Sequence, residues 1–303
     1  MNNLKTILVA VDFSMGSRAA LDQAARIAGL NGAKLHVLHV MDSSAVMALA
    51  DAHQESFERQ AKTSAEGASA ALVRWMEQSN VPAGCEVTIA TGVPLHEILE
   101  HVKKFKADLL VAGIAGAGNR PAGAGSVSGK LARKAATMVL LVRSDHPHAF
   151  KKVVACIDFS DTAREVAAQA HRVAVQDGAR VDFLNVWQDP MLAMPYVAPM
   201  AEAGTPLFTS TPEFRKEYVE NIQRTLKEFV RDAAQGIESA QVLCESGNYG
   251  SGIAIHAEAA KADLIVIGGK GRTDLRYVLL GSTAERLLTI LPCSVLVVKL
   301  QDS

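Results

Sequence analysis

The feature that most constrains this chain is an internal repeat. Lys5–Ser14 reads KTILVAVDFS, and Lys151–Ser160 reads KKVVACIDFS, 146 positions later. The same offset relates Lys34–Met41 (KLHVLHVM) to Arg180–Trp187 (RVDFLNVW). Ala107–Gly113 (ADLLVAG) returns as Ala262–Gly268 (ADLIVIG) at an offset of 155, and Thr137–Arg143 (TMVLLVR) as Cys293–Lys299 (CSVLVVK) at 156. Four blocks in one order leave chance as a poor explanation. The 303 residues therefore read as two copies of one unit, each near the ~150 residues of a common domain. The expected domains are 1–146 and 147–303, joined within Ser144–Phe150. The extra residues of the second copy fall in Pro190–Pro212, which holds five of the ten prolines and reads as an irregular loop.

The repeated blocks are short runs of Val, Ile and Leu. Continuous apolar strands of this kind are buried on both faces, as in parallel sheets. Between them, Phe57, Ala61, Ala65, Ala68, Leu72 and Met76 step by three or four, as do Phe214, Tyr218, Ile222, Leu226, Phe229 and Ala233. Each set makes one apolar helical stripe. Each copy reads β-α-β-α-β-α-β-α-β. The fold class expected is α/β, with two doubly wound, Rossmann-like domains and a five-stranded parallel sheet in each. Ligands in such sheets sit at the carboxyl ends of the strands, at the topological switch point.

At that point the second copy carries Gly268-x2-Gly271-x9-Gly281-Ser282. Glycines let backbone N–H groups approach an anion. The run Gly281-Ser282-Thr283 opens a helix, whose free N–H groups and dipole favour phosphate. Lys270 and Arg272 could add charge. Taken alone, the loop also fits a plain strand-to-helix turn with a serine N-cap. It is not a P-loop, because no G-x-x-x-x-G-K-[ST] occurs in the chain.

Together with its neighbours, the pattern resembles the universal stress protein family. That family's G-x2-G-x9-G-[ST] is matched at Gly268, Gly271, Gly281 and Ser282. Its aspartate after the first strand is matched by Asp158, its valine at the end of the second by Val186, and its final P-x-S-V-L-V-V by Pro292–Val298. The resemblance implies an ATP site, possible with Mg²⁺. Asp158 would bind the ribose hydroxyls, and the Val186 backbone the adenine edge. Ile157 and Ile267 would line the pocket. Gly268, Lys270, Gly271, Gly281, Ser282 and Thr283 would surround the phosphates. Where the family often has proline or alanine, this chain has Cys156. The resemblance also implies a stress-response role and packing of the two copies as an intrachain pseudo-dimer, with a further homodimer of chains open.

The first copy keeps Asp12 and Val40 but reads Gly113-x2-Gly116-x8-Gly125-Ser126, with a softer spacer, AGNRPAGA. A loop one residue short presents its N–H groups differently, so weak or absent ATP binding is expected there.

Composition removes other classes. The net charge is −1, and neither half has the basic excess of a nucleic-acid binder. No apolar run reaches the ~18 residues of a membrane span, and the first residues lack signal-peptide character, so a cytoplasmic protein is expected. Cys85, Cys156, Cys244 and Cys293 form no C-x-x-C pair and read as buried small hydrophobes. His146 and His148 form an H-x-H pair without matching ligands, so no metal site is assigned. No catalytic motif stands out, which favours a binder, with at most slow ATP hydrolysis. The rival readings are an interaction scaffold using the Pro/Met-rich loop 190–212 and an enzyme cleaving ATP to AMP and pyrophosphate.

Overall fold

The computed structural model describes residues 4–114, 124–143, 148–189, 211–271 and 280–300. The first copy runs β1 (Thr6–Val11), α1 (Met15–Asn31), β2 (Lys34–Asp42), α2 (Ser43–His53) and α3 (Phe57–Met76). It continues with β3 (Glu86–Gly92), α4 (Pro94–Lys104), β4 (Leu109–Gly113), α5 (Ser126–Lys134) and β5 (Met138–Val142). The second runs β6 (Lys152–Cys156), α6 (Asp161–Asp177), β7 (Arg180–Trp187), α7 (Pro212–Phe229) and β8 (Ser239–Glu245). It ends with α8 (Tyr249–Ala259), β9 (Leu264–Gly268), α9 (Ser282–Ile290) and β10 (Ser294–Val298).

Local chemistry sets many of these boundaries. Ser14 and Ser160 cap α1 and α6, accepting from the backbone N–H of Ser17 and Ala163. Gly32 and Gly178 close the same helices in the left-handed conformation that glycine takes without strain. Thr211 caps α7, and Pro212 occupies its first turn, where a missing N–H costs nothing.

Two features differ from the sequence reading. The helix α2 is additional to the alternating pattern. The helix α7 stops at Phe229, so Ala233 lies beyond it, although both residues pack against the core. Of the loop at 190–212, residues 190–210 lie outside those described.

All five strands within each copy pair in parallel. The ten strands form one sheet in the order β3-β2-β1-β4-β5-β10-β9-β6-β7-β8. Its centre is antiparallel, where Val139, Leu140 and Leu141 of β5 face Val297, Leu296 and Val295 of β10. The two copies are thus halves of one sheet, an intrachain pseudo-dimer. One core, with Leu21, Leu72, Phe150, Phe183 and Leu226, lies beneath α1, α3, α6 and α7. The other, with Ile98, Leu131, Ile253 and Leu287, lies beneath α4, α5, α8 and α9.

Side chains tie the seam further. Arg26 of α1 reaches Asp177 of α6 through two bonds of 2.7 and 2.9 Å, and Asp177 also accepts from the Phe150 backbone N–H. Arg133 of α5 pairs with Glu285 of α9 at 2.9 Å.

Candidate functional site

The second copy reverses its strand order between β6 and β9, and a cleft of about 650 Å³ opens there. The chain leaves β6 through Ile157, Asp158 and Phe159. Phe159 has φ +64°, a left-handed conformation that costs a non-glycine residue about 1–2 kcal/mol. Asp158 braces this turn: its Oδ1 accepts from Ser160 N at 3.0 Å and from Ser160 Oγ at 2.6 Å. Its Oδ2 faces the glycine loop, 3.1 Å from where a Cβ on Gly271 would stand.

The loop itself is backbone packed on backbone. A Cβ at Gly268 would lie 2.9 Å from Thr162 Cγ2 and 3.1 Å from Lys270 O, so only glycine fits there. Gly269 N donates to Val298 O, and Gly281 N donates to Gly269 O, both at 2.8 Å. These bonds hold the start of α9 against the end of β9. The N-cap of α9 is Gly281, and no side chain caps the helix. The plain serine-cap reading therefore fails: Ser282 is the first helical residue, and the helix N-terminus opens on the cleft with Ser282 and Thr283 beside it. Such an end favours negative charge.

The opposite wall comes from α8, whose Tyr249 and Ile253 line the cleft. It comes close because Gly252 has no side chain: a Cβ there would stand 2.8 Å from Val186 Cγ1. All ten residues singled out from the sequence line this one cleft, namely Ile157, Asp158, Val186, Ile267, Gly268, Lys270, Gly271, Gly281, Ser282 and Thr283. Arg272 lies outside the described residues. Sequence reasoning missed Tyr249, Ile253 and the α7 residues on the far wall. The two helix glycines, Gly250 and Gly252, were the available signal, since glycine disfavours a helix interior by about 1 kcal/mol.

Cys156 also lines the cleft, and burial pushes its thiol well above the usual range, with Cys293 and Asp158 adding to the effect. It is expected to resist iodoacetamide at neutral pH, read as unchanged intact mass at that site. His256 stands elsewhere, bonding Asp182 Oδ2 at 3.0 Å in a cluster that Lys152 completes.

Next to the loop, burial lowers the Lys299 ammonium to about 8, with the Lys270 charge as a lesser cause. Its Nζ donates to Arg133 O at 2.9 Å and Ala135 O at 2.6 Å, at the end of α5. The folded chain therefore binds fewer protons than the unfolded chain above pH 8. Stability should rise from about pH 8 towards the ordinary lysine value near 10.4. Urea unfolding across that range should show the rise, and Lys299→Met should flatten it.

The first copy has a corresponding cleft of about 470 Å³, lined by Asp12, Val40, Gly113, Gly125 and Ser126 among others. Gly125 is the uncapped start of α5. No lysine or arginine among the described residues lines this cleft, and Gly116 lies outside those residues.

The universal stress protein family model matches twice, over residues 3–143 and 149–299. The chain belongs to the universal stress protein family. Its two universal stress protein domains are a tandem within one chain. Universal stress protein MJ0531 of Methanocaldococcus jannaschii is 33% identical over 150 residues, 50% of this chain and 82% of that protein. Universal stress protein A homolog 1 of Coxiella burnetii is 30% identical over 159 residues, 50% of this chain and 99% of that protein. Each relative thus matches one domain's length. A solved universal stress protein from Archaeoglobus fulgidus superposes on the whole tandem. Its TM-score is 0.66 at 19% identity, with 99% of this chain and 100% of that chain covered. That likeness speaks to the fold.

Proposed function

We propose that the second universal stress protein domain binds ATP, and that the chain is a nucleotide-responsive regulator of the stress response rather than a dedicated catalyst. The observation that carries this reading is the convergence of Asp158 Oδ2, the glycine loop and the uncapped start of α9 on one cleft.

The chemistry runs along the cleft. The apolar Ile157 and Ile267 take the base, and the Val186 backbone meets its edge. The Asp158 carboxylate accepts from the ribose hydroxyls. The phosphates lie on the N–H groups of α9, with Gly268 and Gly271 giving room and Ser282, Thr283 and Lys270 adding donors. Magnesium would accompany the phosphates. Slow hydrolysis of the held chain is the most turnover this arrangement supports.

Binding has a route to the other domain. Leu288 O of α9 accepts from Ala124 N at 2.8 Å, just before the start of α5, and Glu285 pairs with Arg133. Phosphate on α9 would therefore bear on the seam. The first domain, with a loop one residue short and alanine where the second has Lys270, is read as the structural mate. No described helix is long and apolar enough to cross a membrane. A cytoplasmic setting belongs to the same reading.

The test is calorimetric titration with ATP and 2′-deoxy-ATP. Asp158→Ala should cost about 10- to 100-fold in ATP affinity, the worth of hydrogen bonds to a charged group. It should also erase the preference for ATP over the deoxy form. Retention of that preference would remove Asp158 from the site.

A further inference from the structure

The second cleft exceeds the first, at about 650 against about 470 Å³. The added room lies past the Val186 end. Neighbouring residues of a strand point to opposite faces. Leu184 and Val186 pack with the core beneath α8 and α9, whereas Phe183 packs with the core beneath α6 and α7. Asn185 shares the face of Phe183. On that face the cleft is walled by Phe159, Trp187, Tyr218, Asn221 and Thr225. Among the described residues, none from α3 lines the first cleft.

One pair of aligned positions differs on this side of the cleft. His39 Nδ1 bonds Val11 O at 2.8 Å, and Asn185 Nδ2 donates to Ile157 O at 2.7 Å. Both side chains hold the carbonyl just before the aspartate. In the first copy the His39 ring fills the space beside Phe13, with centroids 4.7 Å apart. An aromatic pair stands behind it in both copies, Phe13–Trp75 at 5.7 Å and Phe159–Phe229 at 5.6 Å. Asparagine keeps the bond with a smaller side chain and leaves the space open.

The chemistry of this compartment is specific. Asn185 is only 7% exposed. The bond to Ile157 takes one of its two amide hydrogens, and its oxygen, which no donor among the described residues reaches, is left to accept. Asn221 is arranged the other way: its oxygen accepts from Arg224, leaving the nitrogen. Trp187 and Tyr218, 5.8 Å apart, supply aromatic walls. Lys270, the lysine lining the cleft, belongs to the phosphate end. The compartment suits an uncharged planar group that brings an N–H.

We propose that this cleft takes an adenine nucleotide enlarged at the base edge by a planar, uncharged substituent, admitted because Asn185 stands where the first copy has His39. The proposal rests on the ATP reading above. A substituent on the exocyclic nitrogen leaves one N–H for Asn185 Oδ1 and sends its ring towards Trp187 and Tyr218.

The test titrates the full chain with ATP and with N6-benzyl-ATP. The benzyl derivative should bind about tenfold tighter than ATP, as expected when an apolar ring is buried. Asn185→His, which installs the first copy's residue, should abolish that advantage. So should Thr225→Trp, which fills the compartment from an exposed position on α7. ATP binding with no gain for the benzyl derivative would overturn this proposal alone, as would a gain that survives both substitutions. Binding of neither nucleotide would overturn it together with the ATP reading.

Discussion

Gly281→Asp should abolish ATP binding while leaving the fold intact. The new carboxylate would stand at the start of α9, where the phosphates are expected, and repel them at close range. The loss should exceed about 100-fold, more than 2.7 kcal/mol. The same substitution should not destabilise the free protein. A Cβ at Gly281 meets nothing nearer than Gly269 O and Gly271 N, both at 3.7 Å. An acidic residue at a helix start is mildly stabilising, by about 0.3–1 kcal/mol. Calorimetry should therefore show no binding heat, and thermal melting an unchanged or slightly raised midpoint. A lowered midpoint would mean that the loop is held differently.

Asp177→Ala should be the most damaging single change away from the cleft. The Asp177 side chain is fully buried, and Arg26 beside it is only 21% exposed. Removing the carboxylate leaves the Arg26 guanidinium with only the Gln23 Oε1 bond of its Nε, and takes the acceptor from the Phe150 N–H. Breaking a buried pair from one side costs about 3–5 kcal/mol. Because the pair joins α1 to α6, the loss should weaken the union of the two domains, seen as a lowered urea midpoint. Arg26→Met combined with Asp177→Leu should recover much of the loss, since neither charge is then left alone.

Much of the fold was legible because strands buried on both faces carry continuous Val, Ile and Leu. The repeat set their order, and the stripe at Phe57–Met76 coincides with α3. The helix α2 was not legible: among its residues only Val46 and Ala50 are buried, which is too little periodicity to mark a helix. The central seam was hidden for another reason. The strands β5 and β10 read as buried apolar runs, but nothing in such a run says that its second neighbour is the other copy's last strand.

The candidate site was legible where backbone chemistry dictates sequence, as at Gly268, which sits too close to Thr162 for a side chain. The far wall was not. Tyr218, Asn221 and Thr225 reach the cleft because α7 packs against β8 at the edge of the sheet, and helical spacing cannot report what a helix faces. The contrast between His39 and Asn185 was visible in the aligned blocks, but its meaning depends on the ring packing beside Phe13.

The most direct measurement is native mass spectrometry of the full chain, titrated with ATP and Mg²⁺ beside the Gly281→Asp variant. One ATP per unaltered chain and none on the variant is the expected result. Two per chain would contradict the reading of the first domain as a structural mate, and none would contradict the nucleotide site itself.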